Sequence, residues 1–411
     1  MEADGLLSWA EQVTGGRILN STRLDIGNAR ITSILSMAFG ESTRQFILRH
    51  EAGNGPLAGT TFSLAREAAV CRALAGHGLP VPEVIADDLG RSAMLTEKMS
   101  GGQDTGSRHI GAYLTWLRKL HDIDIATLDL PDFARTIPAE IEIWERAYRS
   151  HVQAPSPVAD LAFERLRTSS LPEPARLVLC HGDAGFGNYL VQDDQVSALL
   201  DWEMAHFGDP LDDLVWIAIR AVQFNVPLPD FGSLIAEYYG ADVDLEPALV
   251  AFWKAFGLLR MLIICLLAVS RARSGKERLL QLTMLPGLEF QVLDSLAEME
   301  GSSVLPLLDA AELSVTAFPG HLLGEAALDL SEIIIPGLEG GPHITNWAKR
   351  IRNLLRDLDR ASRTGNPDAS EVSLPALASS RAAQLRWLPS CAELARRPFP
   401  NFHRSEVRDG E

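Results

Sequence analysis

Cysteine is scarce in this sequence. Only 4 of its 411 residues are cysteines. They lie far apart and form no CxxC pair: Cys71, Cys180, Cys265 and Cys391. This spacing argues against a disulfide framework and is typical of the reduced thiols of a cytoplasmic protein. We therefore predict a cytoplasmic location.

Dense clusters of basic residues are also missing. Acidic residues outnumber basic ones by 54 to 37, which gives a formal net charge of −17 at pH 7. A nucleic-acid backbone attracts groups of Lys and Arg. The composition therefore predicts that nucleic acid is not a partner.

Long hydrophobic runs are absent as well. The most apolar stretch, Met261–Val269, is short and has Lys254 and Arg260 before it and Arg271 and Arg273 after it. A membrane-spanning helix needs about 20 apolar residues, so we predict a buried helix and no membrane partner. The first residues, MEADGLLSWAEQ, lack a basic region followed by an apolar run, so no secretory signal is expected.

The chain is too long for a single hydrophobic core. Residues 1–100 are rich in strand patterns, and residues 101–296 are rich in helix patterns. Residues 297–411 carry a further helical pattern and a Ser-, Gly- and Pro-containing linker near 362–373. We predict an N-terminal lobe, a C-terminal lobe and a helical appendage with these boundaries.

The N-terminal lobe contains a predicted antiparallel hairpin. Ile31–Met37 and Gln45–Leu48 are apolar and β-branched, and a polar turn with Gly40 separates them. A helix over Ser63–Ala75 should follow, because its apolar residues recur at helical spacing. Glu67 falls on the same face of that helix, where a carboxylate normally has a cation as partner.

The most informative stretch covers Leu177–Asp213, LVLCHGDAGFGNYLVQDDQVSALLDWEMAHFGDPLDD. A short apolar strand leads into His181-Gly182-Asp183 and places Asp183 on a loop. From a loop, its carboxylate can accept the proton of an incoming hydroxyl group. We predict that Asp183 is the catalytic base.

A second predicted hairpin follows this loop. Its strands, Tyr189–Gln192 and Val196–Leu200, flank a polar turn. If the chain turns at Asp194-Gln195, Asn188 lies directly opposite Asp201. Opposed residues have Cβ atoms about 4.5–5.5 Å apart, so an amide oxygen and a carboxylate can share one hard cation. The pattern predicts a Mg²⁺ site on Asn188 and Asp201.

Three motifs of this stretch occur in a fixed order: His181-Gly182-Asp183 with Asn188 five residues later, Leu200-Asp201-Trp202-Glu203, and Gly208-Asp209-Pro210. Together they resemble the aminoglycoside phosphotransferase and choline kinase superfamily, over roughly residues 15–290. The segments HGDAGFGN and LDWEMAHFGDPLDDLVWIAIR look most similar to the branch found beside acyl-CoA dehydrogenase genes or domains. That branch includes kinases of hydroxyacyl-CoA thioesters.

The resemblance implies an α+β, two-lobed protein-kinase-like fold with a β-rich N-lobe, a mostly α C-lobe and ATP between them. In such a fold a strand cation binds the α- and β-phosphates and pairs with a helix glutamate. Arg49 and Glu67 take these positions, although the commoner cation is Lys. Gly27 and Asn28 resemble the loop that covers the phosphates, where glycine lets backbone amides approach.

The segment MLTEKMSG, residues 94–101, resembles the hinge between the lobes, which implies that backbone groups of Glu97 and Met99 bind adenine. Structural roles are predicted for His121, His181, Asp209 and Asp213, the last two as caps and anchors of a helix. Arg220, Arg260 and Arg273 are predicted to be solvated, with contact to an anionic substrate as the alternative. For Glu203 a role near the metal and a structural role stay equally open.

The resemblance thus implies an ATP- and Mg²⁺-dependent phosphotransferase that acts on the hydroxyl group of a small molecule. The preferred acceptor is a hydroxyacyl-CoA or a hydroxy acid. One alternative is an antibiotic kinase, for an aminoglycoside or macrolide, or an amino-alcohol kinase, which the acidic net charge would suit. Another is an inactive nucleotide-binding scaffold, favoured by Arg49 and by the large appendage. Self-association through the C-terminal helical region is a further prediction.

Overall fold

The computed structural model describes residues 2–304, apart from 25–29, 54, 170–175, 225, 229, 273–280, 282 and 283. Some of the predictions concern residues outside these ranges. Gly27, Asn28 and Arg273 lie outside the described residues, and so do nearly all of the predicted appendage at 297–411 and its linker near 362–373. The domain boundaries therefore stay predictions.

A five-stranded antiparallel sheet forms the first part of the chain. Its strands are β1 (Arg17–Leu24), β2 (Arg30–Phe39), β3 (Ser42–Glu51), β4 (Val84–Asp88) and β5 (Ala93–Glu97). They lie side by side in the order β1-β2-β3-β5-β4. The predicted hairpin is confirmed, because β2 and β3 pair along their whole length, from Arg30 opposite Glu51 to Phe39 opposite Ser42.

The two faces of this sheet have different neighbours. Side chains alternate between the faces of a strand, and one face packs against helix α1 (Glu2–Thr14). The buried side chains on that side include Leu35, Met37, Phe46, Leu48 and, from the helix, Leu6 and Trp9. The opposite face borders a cavity and carries Arg30, Thr32, Ile34, Ile47 and Arg49.

Helix α2 (Leu64–Leu74) follows, close to its predicted bounds. Ser63 caps it, because its hydroxyl oxygen accepts a hydrogen bond from Arg66 N at 3.3 Å. Glu67 is buried on the inward face of the helix, with 3% of its surface exposed. The helix therefore presents one carboxylate to the interior.

The described residues after the sheet are mostly helical. The helices are α3 (Ile110–His121), α4 (Ile137–His151), α5 (Pro157–Thr168), α6 (Pro210–Phe224), α7 (Phe231–Tyr239), α8 (Pro247–Arg271) and α9 (Leu285–Met299). In the described part of the chain, α8 is the one helix long and apolar enough to cross a membrane, yet 83% of its most apolar window is buried. The prediction of a buried helix over Met261–Val269 is confirmed.

Two small sheets lie among these helices. One contains β6 (Gly102–Gln103), β8 (Tyr189–Gln192) and β9 (Gln195–Leu199), and the other pairs β7 (Val178–Cys180) with β10 (His206–Gly208). The loop between β7 and β8 carries the predicted catalytic residue.

The predicted turn of the β8–β9 hairpin, at Asp194-Gln195, is wrong by one residue. Asp193 and Asp194 form the turn, with φ of 52° and 59°, and Gln192 lies opposite Gln195. Tight hairpin turns of this kind need two consecutive residues with positive φ, and Asp tolerates that conformation well. This turn aligns Val191 with Val196, and a register shift between Leu190 and Val191 then places Tyr189 opposite Leu199.

Candidate active site

A cavity of about 460 Å³ lies between the five-stranded sheet, α2 and the β8–β9 hairpin. The predicted site residues on its wall are Arg49, Glu67, Glu97, Met99, Asn188 and Asp201. Asp183 lies beside the cavity and contacts it through a hydrogen bond with Asn188. The fold therefore brings together every predicted site residue that the structure describes.

The wall of the cavity changes from apolar to charged along the strands. At the hinge, Glu97 lies opposite Phe46. Ile47 is the next residue of β3 and lies opposite Ile34 of β2. Arg49 follows Ile47 by two residues on the same strand. The cavity can therefore hold an apolar ring near the hinge and an anion near the guanidinium group.

The hinge residues differ in the backbone groups that they can offer. Glu97 N donates to Glu83 O at 2.9 Å, and the Glu97 side chain pairs with Arg44 at 3.2 Å. Met99 lines the cavity, and its N–H has no acceptor among the described residues. Among the described residues, the Met99 N–H is therefore a backbone donor that this segment can offer to a ligand, whereas the Glu97 N–H is already bonded.

Arg49 forms an ion pair with Glu67, as the resemblance implied. Arg49 Nη1 donates to Glu67 Oε1 at 2.5 Å, and Nη2 donates to Asp201 Oδ1 at 2.9 Å. Burial lowers the pKa of the Arg49 guanidinium, but the charges of Glu67 and Asp201 outweigh burial and raise this pKa above its usual value. Arg49 is therefore a fixed positive charge on the cavity wall.

Arg30, at the start of β2, is a cavity residue that sequence reasoning missed. Its Nη1 donates to Glu67 Oε2 at 3.2 Å and lies 3.7 Å from Asp201 Oδ1, and its Nη2 pairs with Glu203. The available signal was the alternation along β2, because Arg30 lies on the same face as Ile34. Glu203 has a cation partner within the cavity.

The register corrects the predicted opposition of Asn188 and Asp201. Leu200 N donates to Asn188 O at 2.8 Å, so Leu200 lies across from Asn188. Asp201 follows with a left-handed φ of 69° and leaves the strand. Both side chains nevertheless line the same cavity.

The donor atoms at this point fit a hard divalent cation. Asn188 Nδ2 donates to the backbone and carboxylate oxygens of Asp183 at 2.8 and 2.7 Å, which leaves the Asn188 amide oxygen for another partner. Burial raises the pKa of Asp201, but Arg49 and Arg30 outweigh burial and lower it to about 2. An ionised carboxylate and an amide oxygen are ligands of the type that Mg²⁺ takes.

Asp183 receives three side-chain hydrogen bonds. Its Oδ1 accepts one from Trp216 Nε1 at 2.7 Å and one from Arg220 Nη1. Its Oδ2 accepts one from Asn188 Nδ2 at 2.7 Å, and the side chain is 18% exposed. An ionised carboxylate offers about four lone-pair sites. One site on Oδ2 therefore remains for a further hydrogen-bond donor.

The prediction that Arg220 and Arg260 are solvated is wrong. The Arg220 side chain is 15% exposed, and Arg260 is fully buried and pairs with Asp212. Burial lowers the pKa of Arg220, but the charge of Asp183 outweighs burial and raises it. The signal lay in α6, where Trp216 and Arg220 are four residues apart and therefore share a face.

Asp213 anchors the loop that carries Asp183. Its two carboxylate oxygens accept hydrogen bonds from His181 N at 2.7 Å and Gly182 N at 2.9 Å, and His121 Nε2 lies 3.0 Å from Oδ2. Burial raises the pKa of Asp213, but the hydrogen bond and charge of His121 outweigh burial and lower it to about 2. Asp213 therefore anchors α6 to the loop that carries Asp183, in agreement with its predicted anchoring role.

The other support residues behave as predicted. His181 is buried, its Nε2 lies 2.9 Å from Leu200 O, and burial lowers its pKa. Asp209 caps α6 by accepting a hydrogen bond from Leu211 N at 2.8 Å. Gly182 has a φ of 81°, and a Cβ there would lie 2.0 Å from a backbone oxygen. Only glycine fits that position of the loop.

The chain has relatives among curated proteins. Acyl-CoA dehydrogenase family member 10 of Mus musculus is 27% identical over 216 residues, which is 47% of this chain and 20% of that protein. Family member 11 of Gallus gallus is 26% identical over 191 residues, 42% of this chain and 24% of that protein. The chain thus spans about a fifth to a quarter of the length of these relatives.

A solved structure has a similar fold. A protein from Ralstonia eutropha, assigned as an aminoglycoside phosphotransferase, superposes with a TM-score of 0.53 at 19% identity, over 73% of this chain and 99% of that one. The predicted two-lobed, kinase-like α+β fold is confirmed by this similarity and by the sheet and helices described above.

Residues 36–250, about half of the chain, match the profile of the APH phosphotransferase enzyme family. The prediction of an ATP-dependent kinase that phosphorylates hydroxyl groups of small molecules is thereby confirmed at the level of the family. The chain belongs to the APH phosphotransferase enzyme family.

Proposed function

We propose that this phosphotransferase transfers the terminal phosphoryl group of ATP to the hydroxyl group of a hydroxyacyl-CoA or hydroxy acid, with Mg²⁺. One observation carries the catalytic part of the proposal. Asn188 lines the cavity and at the same time donates to the Asp183 carboxylate at 2.7 Å. The proposed base therefore lies directly beside the proposed nucleotide site.

Asp183 is the base in this proposal. Three hydrogen bonds fix its carboxylate and leave one lone-pair site on Oδ2. A hydroxyl group that donates to this site is oriented for attack and loses its proton to Asp183 as the bond to phosphorus forms. Phosphoryl transfer depends mostly on such positioning and on electrostatic stabilisation.

The metal site consists of the Asn188 amide oxygen and the Asp201 carboxylate. When bound, Mg²⁺ supplies positive charge that stabilises the transferring phosphoryl group. The hydrogen bonds from Asn188 to Asp183 also tie this site to the base.

The nucleotide occupies the cavity in this proposal. Adenine lies at the apolar end with the hinge residues Glu97 and Met99, and the phosphates lie at the charged end. Arg49, held by Glu67 at 2.5 Å, binds phosphate oxygens with its planar guanidinium group. Gly27 and Asn28 keep their proposed place in the covering loop.

The relatives support the choice of acceptor. Both curated relatives carry an acyl-CoA dehydrogenase name, and a kinase of a hydroxyacyl thioester suits that context. The name of the Ralstonia eutropha protein supports the second candidate, an antibiotic kinase. A cytoplasmic location and self-association through the C-terminal region complete the proposal.

A panel of hydroxyacyl-CoAs, hydroxy acids, aminoglycosides, macrolides and amino alcohols tests the proposal. ATP consumption and a gain of one phosphate in product mass should occur with a hydroxyacyl-CoA or hydroxy acid. Turnover with an antibiotic alone would replace the preferred acceptor by the second candidate. Nucleotide binding without turnover of any compound would favour a scaffold.

The variant Asp183→Asn tests the base. It should lose a factor of about 10² to 10⁴ in kcat, while ATP binding is retained. Asp129→Asn is the matched control, because Asp129 is exposed, and it should keep full activity. An active Asp183→Asn variant would contradict the assignment of the base.

A further inference from the structure

Arg30 is a second buried cation at the charged end of the cavity. Thr32 of β2 lies opposite Arg49 of β3, so Arg30, two residues from Thr32, is the diagonal neighbour of Arg49 on the same face. The Arg30 side chain lines the cavity and is only 7% exposed. Its position is therefore set by the sheet.

The two guanidinium groups converge on the same carboxylates. Arg30 Nη1 and Arg49 Nη1 contact the two oxygens of Glu67 at 3.2 and 2.5 Å. Arg30 Nη1 and Arg49 Nη2 lie 3.7 and 2.9 Å from the same oxygen, Asp201 Oδ1. An anion that reaches one guanidinium group beside Asp201 therefore lies within reach of the other.

A purely structural ion pair does not need this arrangement. Arg49 alone already pairs with both Glu67 and Asp201. Arg30 is therefore a second long cation whose burial costs desolvation and side-chain entropy, even with Glu203 as a further partner. Two forked donors side by side match the several oxygens of a phosphate chain better than one cation does. Glu203 pairs with Arg30 Nη2 and also lines the cavity, so this pair keeps the Arg30 guanidinium group at the cavity wall.

We propose that Arg30 binds the phosphates of the nucleotide together with Arg49, so that the site uses two arginines. This inference rests on the proposed function, because it places the phosphates at the charged end of the cavity. Arg30 is then a nucleotide-binding residue whose contribution depends on the number of phosphates in the ligand.

The test is direct binding, measured by calorimetry with adenosine, ADP and ATP, with and without Mg²⁺ and without any acceptor. Arg30→Met keeps most of the side-chain length but removes the charge. It should weaken ATP binding by roughly 10-fold to 100-fold, as expected for lost hydrogen bonds to a charged group. Adenosine binding should change by less than about twofold by the same reasoning. Arg30→Lys should fall between wild type and Arg30→Met.

Arg17→Met is the matched control, because Arg17 is exposed on β1 of the same sheet, and it should bind all three ligands as wild type does. Thermal melts establish that each variant is folded. An equal loss for adenosine and ATP, or no loss for ATP, would overturn the inference. If the wild-type chain itself binds ATP no better than adenosine, the proposed nucleotide site fails instead.

Discussion

Replacing Arg220 by Met should impair catalysis by releasing the proposed base. Arg220 Nη1 pairs with Asp183 Oδ1, and Nη2 donates to a backbone carbonyl of the same loop, Phe186 O, at 2.9 Å. Both contacts are made by a side chain that is 15% exposed. Met fills most of the same volume, so the variant removes chiefly the charge and these two hydrogen bonds.

The magnitude follows from these two contacts. A hydrogen bond to a charged group contributes about 1.5–3 kcal/mol, and solvent access reduces this figure. We therefore expect the free energy of unfolding to fall by about 1–3 kcal/mol. Displacement of the base by a fraction of an ångström should lower kcat about 10-fold to 100-fold, with the affinity for ATP unchanged, because Arg220 is not on the cavity wall.

Steady-state kinetics that determine kcat and the KM for ATP separately, on protein shown to be folded by a thermal melt, distinguish this positioning role from a loss of stability. In Arg220→Met kcat should fall while the KM for ATP keeps its wild-type value, because the base is displaced and the cavity wall is unchanged. Arg149→Met, which removes an exposed pair with Asp160, should leave both kcat and KM unchanged. A wild-type kcat in a folded Arg220→Met variant would refute the reasoning.

Three other changes should have measurable effects. Asp213→Asn should lower the free energy of unfolding at neutral pH, as measured by urea titration. Because the pKa of Asp213 is lowered to about 2 in the folded protein, the ionised side chain contributes about 2 kcal/mol of stability to the wild type. This contribution is present above the usual carboxyl pKa, is lost as pH falls through about 2, and should be missing in the variant. Gly182→Ala should abolish activity and lower the melting temperature, because its Cβ would lie 2.0 Å from Met204 O; a melting temperature equal to that of the wild type would contradict this. Asp201→Asn should remove the Mg²⁺ dependence of ATP binding in calorimetry, and an unchanged dependence would place the metal elsewhere.

Local patterns predicted several elements of the fold, and the family resemblance implied its architecture and part of the site. The β2–β3 hairpin and α2 follow from alternation and helical spacing over short stretches, which is why the structure agrees with them. The family resemblance led to the Arg49–Glu67 pair, whose partners are 18 residues apart. The β8–β9 register depended on the turn at Asp193 and Asp194, which have positive φ, and on an irregularity between Leu190 and Val191.

The residues that the sequence did not reveal have partners far along the chain. Arg30 contacts Glu67, and Arg220 contacts Asp183. In each pair the two residues are 37 positions apart in the sequence. No periodic pattern links such positions, because the contact exists only after the sheet and helices have packed. A charged residue at an inward position of β2 or α6 was the one local sign that a partner was needed.

Helix α6 connects the fold to the proposed chemistry. Asp213, Trp216 and Arg220 recur at intervals of three and four residues, so they lie on one face of the helix. The first holds the backbone of His181 and Gly182, and the other two hold the carboxylate of Asp183. A rigid helix thereby fixes both the backbone and the side chain of the loop. Because these contacts act on one loop, their removal should be strongly non-additive, since the first loss already frees the base.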